Sequence, residues 1–244
     1  METEFTRSSV KRLGRRLRKA ERPSADDVAM YDAYRTSFTG ALREVMTELY
    51  SLFPDSPPSG RRKTLDSVVG KLKRGTTDLG RMQDIAGCRI NVPSLDDQDY
   101  AVAMIRERFE ALRTDDLRNR PHSGYRAVHV IVAASDGRWV EIQVRTALQN
   151  LYAQLSERMA DHFGIEMKYG GGDPFAKEIL QSSSSRAYEL DSLQRDIVAR
   201  ETAGDADQER MREDRRTLEQ ATVHYRTIVQ ALIQALEPSE ERSE

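Results

Sequence analysis

Two neighbouring segments of this chain gather side chains that could do chemistry: Tyr125 and His129 in the first, Glu141, Gln143 and Arg145 in the second. A carboxylate, an imidazole and a guanidinium on one surface can hold a cation, bind an anion or move a proton. Both segments alternate, the mark of a strand with one buried and one working face. In 125–133, Val128, Val130 and Val132 stand against Tyr125, Ala127, His129 and Ile131; in Arg138–Arg145, Val140, Ile142 and Val144 stand against Trp139, Glu141, Gln143 and Arg145. Ser135-Asp136-Gly137 lies between them as a short hairpin loop. A three-residue loop pairs Ala134 with Arg138, sets His129 opposite Gln143 and Ile131 opposite Glu141, and sends all the valines to one side. A two-residue loop would turn Glu141 into the valines, and burying a carboxylate there is costly, so the three-residue loop is favoured.

A second group precedes these strands. Arg61–Arg74 has a helical period, with Leu65, Val68, Val69 and Leu72 as its apolar stripe. Lys63, Ser67 and Lys71 recur every four residues on another face, with Arg61 just before them. A row of cations around a hydroxyl suits a polyphosphate, although a solvated helix face has the same pattern. Residues 84–92 read as the first strand, with Asp84 at its entrance and Arg89 in its body; Arg89 is either an edge residue or part of a site.

These groups need elements to position them. Ser24 caps a helix running through Val28, Tyr31, Tyr34, Phe38, Leu42, Val45, Met46 and Leu49, and Pro54 ends it. Ser94 starts a helix to about Leu112, with Tyr100, Met104, Ile105, Phe109 and Leu112 as its stripe. Residues 114–118 suggest a short strand, and 119–124 form a loop containing Pro121, His122 and Ser123. Thr146 and Gln149 form a capping box for a helix towards Phe163, with Asn150 on its first turns. After Gly170–Gly172, Asp173-Pro174 restarts a helix, and two long charged helices follow at 174–201 and 206–236. Phe175, Ile179, Leu190, Leu193 and Ile197 mark the stripe of the first; Leu218, Tyr225, Ile228, Leu232 and Leu236 mark that of the second. They could pack on the core domain, on each other or on a partner. The expected fold is α/β (α+β): a mixed sheet of about five strands flanked by helices, with a helical C-terminal extension. Residues 1–22 form a basic arm, read as solvated or frayed, with a nucleic-acid contact as the sharper alternative; 23–168 form the main domain and 173–237 the extension.

Composition narrows the class. The chain has 244 residues, 38 basic and 40 acidic side chains and a net charge of −2, which argues against bulk attraction to nucleic acid while leaving local basic clusters open. No apolar run is long enough to span a membrane, and the basic N-terminus has no apolar core of a secretory signal. The single Cys88 excludes an intrachain disulfide and a thiolate-rich zinc cage, and its apolar strand context makes it a buried, inert thiol. The expected compartment is the cytosol.

Taken together, Arg61-x-Lys63-x-x-x-Ser67-x-x-x-Lys71, Asp84-Ile-Ala-Gly-x-Arg89, Gly124-Tyr125-Arg126-x-x-His129 and Glu141-Ile-Gln143-Val-Arg145-Thr146, with Asn150 beyond, resemble the RelA/SpoT nucleotidyltransferase domain of the GTP pyrophosphokinases and small alarmone synthetases. The resemblance covers residues 25–165 and implies a nucleotidyltransferase-like fold. It also implies an enzyme that transfers the β,γ-pyrophosphate of ATP to the 3′-hydroxyl of GDP or GTP, with magnesium, making ppGpp and pppGpp. By position, it assigns Asp84 and Glu141 to the metal, with Glu141 also the candidate base. It places Arg61 and Arg89 on the adenine, and Lys63, Ser67 and Lys71 on the ATP phosphates. Tyr125 would stack on the acceptor base, with His129, Gln143, Arg145 and Asn150 around the acceptor nucleotide.

This sequence departs from the family in the acceptor half. The loop Asn119-Arg-Pro-His-Ser-Gly-Tyr125 is shorter than the usual one, His122 stands where a Lys is common, and 155–157 reads Leu-Ser-Glu where small synthetases often have Glu-His. Related toxic members modify the 3′ end of tRNA, so tRNA and an antitoxin protein are the alternative partners. A catalytically silent nucleotide-binding module is a third reading, opposed by retention of both acidic residues and the basic row. No hydrolase motif of the His-Asp type precedes the domain, so synthesis without alarmone hydrolysis is expected. A homo-oligomer through the helical extension is a further possibility.

Overall fold

The computed structural model describes residues 5–75, 77–204 and 207–237. The first four residues of the basic N-terminal stretch, and residue 206, where the last helix was expected to begin, lie outside them. Five strands form one sheet in the order β1-β2-β5-β4-β3. They are β1 (Ser59–Arg62), β2 (Ala86–Val92), β3 (Arg113–Asp116), β4 (Val128–Ala133) and β5 (Trp139–Thr146). The helices are α1 (Arg7–Lys19), α2 (Ala25–Thr36), α3 (Thr39–Leu52), α4 (Leu65–Lys73), α5 (Leu95–Arg108), α6 (Ala147–Phe163), α7 (Pro174–Thr202) and α8 (Gln208–Ala235). The described chain divides into two compact units. Among the described residues, the first comprises those up to 90, 104–114 and 129–143, and the second 91–103, 115–128 and those from 144 to 237. Both units are discontinuous in sequence, and the C-terminal helices share the second with α6.

In the first unit the β4–β5 hairpin has the three-residue loop that the valine pattern demands. The Ala134 amide donates to the Arg138 carbonyl at 2.9 Å, and the Gly137 amide to the Ala134 carbonyl at 2.8 Å. Val130, Val132, Val140 and Ile142 are fully buried, while His129 and Glu141 are only partly so. Ile131, on the working face by parity, is nevertheless buried.

Residues 7–22 are not a frayed arm. Thr6 caps α1, and Val10, Leu13, Gly14 and Leu17 form a buried stripe packed against α2, α4 and the turn at Leu79–Arg81. Four apolar or small residues at positions i, i+3, i+4 and i+7 suffice for one helix face, even among seven basic side chains. A Cβ on Gly14 would meet the Leu79 Cβ at 2.8 Å, so the small residue sets the approach of α1 to that turn.

The helix expected from Ser24 to Leu49 is two helices. Ser24 does cap α2, accepting from the Asp27 amide. At 36–39 the side chains compete for the backbone: the Ser37 hydroxyl donates to the Tyr34 carbonyl and the Thr39 hydroxyl to the Thr36 carbonyl, and the chain turns before α3. Residues 61–74 are likewise not one helix. Arg61 and Arg62 belong to β1, which pairs antiparallel with β2, and only after Thr64 caps at Ser67 does α4 begin. The strand 86–92 is therefore the second, and Asp84 lies in the turn before it. An exposed four-residue edge strand carries no alternation to read, and α4's own period continues back into it.

In the second unit Thr146 and Gln149 form the capping box of α6, and Asp173 with Pro174 opens α7. Helices α6, α7 and α8 pack on one another around Tyr152, Leu155, Met159, Leu180, Leu190, Tyr225 and Val229. The expected stripes need correction, since Phe175, Leu193 and Ile228 are exposed. The buried line of α7 runs through Ala176, Leu180, Ser183, Ser184, Ala187, Leu190, Asp191 and Ile197, so Leu190 and Ile197 of the expected stripe are buried. In α5, Tyr100 is exposed; the buried residues are Leu95, Gln98, Ala101 and Ile105. Leu112 is exposed beyond the helix end. Gln98 is fully buried because its amide donates to the Val144 carbonyl and to Gln149 Oε1. Among the described residues no helix is long and apolar enough to cross a membrane.

Candidate active site

The first unit holds a charged cluster centred on Asp84. Lys63 Nζ lies 2.7 Å and Lys71 Nζ 3.0 Å from the same oxygen, Asp84 Oδ2. Lys63 comes from the chain between β1 and α4, Lys71 from the last turn of α4, and their meeting point is the turn before β2. The backbone at Lys63 is pinned twice: its amide donates to the Ile85 carbonyl at 2.8 Å, and its carbonyl accepts from the Tyr31 hydroxyl at 2.7 Å. Tyr31 was legible only as a core residue of α2; its hydroxyl is what orients the lysine. Burial alone would push the Asp84 carboxyl upwards, but the two ammoniums outweigh it and hold the group below the usual carboxylate range.

Glu141 on β5 is the second carboxylate. His129 Nδ1 lies 3.2 Å from Oε1, and the Gln143 amide donates to Oε2 at 2.7 Å. Burial raises its pKa, and the Asp84 charge raises it further, but His129 and Gln143 win and the net direction is down. Both carboxylates are thus held as anions, Asp84 from the turn before β2 and Glu141 from β5, and Glu141 senses the Asp84 charge. His129 and Gln143, assigned by the resemblance to the acceptor nucleotide, are here the groups that orient Glu141.

Register explains how Arg61 and Arg89 join this surface. Arg61 pairs with Gly87 and Ser59 with Arg89, so the two arginines are diagonal neighbours on one face, roughly 7–8 Å apart by strand geometry. A Cβ on Gly87 would lie 3.1 Å from the Glu141 carbonyl oxygen and 3.7 Å from its Cβ. Glycine therefore leaves β2 open between Arg61 on one side and Glu141 on the other. Ser67 sits in the first turn of α4, where its hydroxyl is 2.9 Å from that of Thr64. Cys88 is buried, and burial, with the Glu141 charge second, pushes its thiol up to about 12; it is inert, as its context indicated.

The donor set fits a hard divalent cation. Asp84 Oδ1 is buried and accepts no hydrogen bond among the described residues. Two ionised carboxylates, one from the turn before β2 and one from β5, are the number of protein ligands magnesium usually takes, the rest being water and phosphate oxygens. No group of three or more His, Cys, Asp or Glu side chains that could hold a metal occurs among the described residues.

The second unit holds the remaining residues. Arg145 donates to the Tyr125 hydroxyl at 3.2 Å from Nε and 2.9 Å from Nη2, and to Asn150 Oδ1 at 3.3 Å. Its guanidinium carbon lies 5.0 Å from the centroid of the Tyr125 ring. The loop before Tyr125 is anchored at Gly124, whose φ of +83° excludes most side chains, and where a Cβ would meet the Tyr152 hydroxyl at 2.5 Å. His122 pairs through its backbone with Tyr125, and its ring lies edge-on to Tyr169 at 6.4 Å.

Comparison with known proteins gives a consistent picture. The model of the region found in RelA / SpoT proteins matches residues 60–162. An uncharacterized protein of Mycobacterium tuberculosis is 42% identical over 115 residues, covering 46% of this chain and 42% of the relative. The chain thus spans less than half the length of that curated relative. The GTP pyrophosphokinase of Haemophilus influenzae is 26% identical over 142 residues, 57% of this chain and 18% of the relative. Among solved structures, the small alarmone synthetase 1 from Bacillus subtilis is 25% identical with a TM-score of 0.60, over 72% of this chain and 99% of that one. Its complex with the product pppGpp is 26% identical with a TM-score of 0.58, over 70% and 97%.

Proposed function

We propose, from the match of residues 60–162 to the region found in RelA / SpoT proteins and the likeness to the small alarmone synthetase 1 of Bacillus subtilis, that this chain is an ATP-dependent pyrophosphokinase acting on GDP or GTP. The observation that carries this reading is the Asp84 cluster, with two lysines on one carboxylate oxygen, the other oxygen buried without a partner, and a second anionic carboxylate nearby. Such a cluster holds charge of both signs, which a polyphosphate with its metal requires and a solvated helix face does not.

Arg61 and Arg89 take the adenine between planar guanidiniums, for which lysine would be a poor substitute. Lys63, Lys71 and the Ser67 hydroxyl take the phosphate oxygens, and the lysines exchange one anion, Asp84, for another. Asp84 and Glu141 would hold magnesium, which neutralises charge on the transferring group. In the reaction the acceptor 3′-oxygen bonds to the β-phosphorus of ATP, the bond from that phosphorus to the α-bridging oxygen breaks, and AMP leaves. Glu141 accepts a hydrogen bond from the 3′-hydroxyl and receives its proton. Tyr125 offers a ring face for the guanine, with Arg145 and Asn150 at its edge.

The product complex of the Bacillus subtilis relative supports a guanine nucleotide as acceptor. Incubation with ATP labelled in the β,γ-pyrophosphate and GDP, GTP or deacylated tRNA tests the reading. Label should appear in the guanine nucleotides and depend on magnesium. Label confined to tRNA, or no transfer to any acceptor, overturns it.

A further inference from the structure

Helix α7 lies outside the matched family region, yet it makes three contacts to the loop that carries Tyr125. Three residues at helical spacing, Ser184, Tyr188 and Asp191, form one polar line on α7. The Ser184 hydroxyl donates to the Gly124 carbonyl at 2.6 Å. The Tyr188 hydroxyl donates to Asn119 Oδ1 at 3.2 Å, and the Tyr188 ring lies 4.3 Å below the guanidinium of Arg126. Asp191 accepts at 2.7 Å from the hydroxyl of Thr146, the residue that caps α6 directly after Arg145. Ser184 is 4% and Asp191 2% exposed, so two of these three contacts are made out of water. Helix α6 adds one more, the Tyr152 hydroxyl on the Ser123 carbonyl at 2.7 Å.

The bonds fall on both sides of the Tyr125–Arg145–Asn150 group. Asn119, Gly124 and Arg126 flank Tyr125 in sequence, and Thr146 stands between Arg145 and Asn150. The positive φ of Gly124 and the 3.1 Å approach its Cβ would make to the Ser184 Cβ bring the loop flush against the helix. A larger residue at 184 would displace the loop. The run Ser182–Ser185 is poor helix-forming sequence in the middle of a 29-residue helix. Small hydroxyls are retained where the helix meets its neighbours, with Ser183 facing the Tyr225 hydroxyl at 3.0 Å and Ser184 facing the loop.

We propose that α7 is a positioning element for the acceptor nucleotide: Ser184, Tyr188 and Asp191 hold the loop 119–126 and the end of β5 in the conformation that binds the acceptor, without touching it. This rests on the proposed pyrophosphokinase activity and assigns the C-terminal helices a part in acceptor recognition.

The test uses the full chain with Ser184→Ala, Tyr188→Leu and the milder Tyr188→Phe, which keeps the ring under Arg126. Two readouts are taken. In steady-state kinetics, the KM for GDP or GTP should rise roughly threefold to tenfold per lost bond, while the KM for ATP stays unchanged. In hydrogen exchange without nucleotide, amides of 119–126 should lose protection in the variants while those of 60–92 keep theirs. Ser184→Thr, which restores a hydroxyl beside Gly124 but adds a methyl, should regain less than half of the loss. Equal rises in both KM values, or unchanged exchange in the loop, overturn the proposal. If the wild-type protein transfers no pyrophosphate, the functional reading fails by itself, and the exchange experiment still decides whether α7 holds the loop. Should Tyr188→Leu fail to fold, Tyr188→Phe and Ser184→Ala carry the decision.

Discussion

Asp84 in the first unit and Asp191 in the second are both shielded carboxylates, and their protons respond in opposite directions. Asp84 faces two ammoniums and stays ionised below the usual range. Asp191 is raised to about 6, because burial outweighs the Thr146 hydrogen bond and the more distant charges of Arg195 and Arg226. A hydroxyl stabilises a carboxylate far less than a direct cation does. The contrast separates the two regions by purpose: the first unit concentrates charge of both signs where chemistry would occur, and the second spends a buried acid on holding a helix cap.

The largest effect should come from the first region. On the proposed mechanism, Asp84→Asn and Glu141→Gln should each lower turnover roughly a hundredfold or more, because each would remove a negative charge at the point where charge migrates. Circular dichroism and thermal unfolding should show the fold retained; near-normal turnover in either variant would remove that residue from the mechanism.

Breaking the comparison directly requires making Asp84 resemble Asp191. With a lowered folded pKa, Asp84 contributes stability that is present above its unfolded value near 4 and is lost as pH falls through the folded one. Lys63→Met with Lys71→Met removes the cause of the lowering and leaves burial, so Asp84 should titrate upwards. Stability should then decline as pH rises from about 4, in unfolding curves taken across pH 3–8. An unchanged pH profile would show that the lysines are not what holds the anion.

Helix α1 belongs to the first unit's framework, so its removal is not neutral. Leu13 and Leu17 are fully buried. Leu13→Ala should cost about 2–4 kcal/mol in denaturant unfolding, and deletion of residues 1–22 should destabilise the protein. Replacing exposed Lys11, Arg12 and Arg15 by Gln should leave stability within about 0.5 kcal/mol, which separates the packing of α1 from its charge.

In the second region, Gly124→Ala should destabilise by about 1–3 kcal/mol, since it combines a positive φ with a contact to the Tyr152 hydroxyl. Asp191→Asn keeps an oxygen for Thr146 and removes the charge. For a raised acid, stability is full below the unfolded pKa of about 4 and declines as pH rises through about 6. The variant should therefore gain about 1–2 kcal/mol over wild type at pH 7 and nothing at pH 4. A gain independent of pH would mean that charge is not the cause.

Much of this was legible in the sequence. The valine alternation of 128–132 and 140–144 with a three-residue loop determined which face Glu141 occupies, because a one-residue slip would bury a carboxylate. Capping signals at Ser24, Thr146 and Asp173 fixed helix starts, since the side-chain acceptor and the amide it satisfies lie three residues apart in the chain. The same period in α1 was present but masked by its charge. Only the tertiary structure decided that Arg61 lies on a strand, that Lys63 and Lys71 meet on one oxygen of Asp84, and that His129 and Gln143 serve Glu141. It also decided that Ser184, Tyr188 and Asp191 reach residues between 45 and 69 positions away. Local periods report which face of an element is buried; they carry no information about what that face meets. Those partners are set by strand register and helix packing, and so were settled only when the chain had folded.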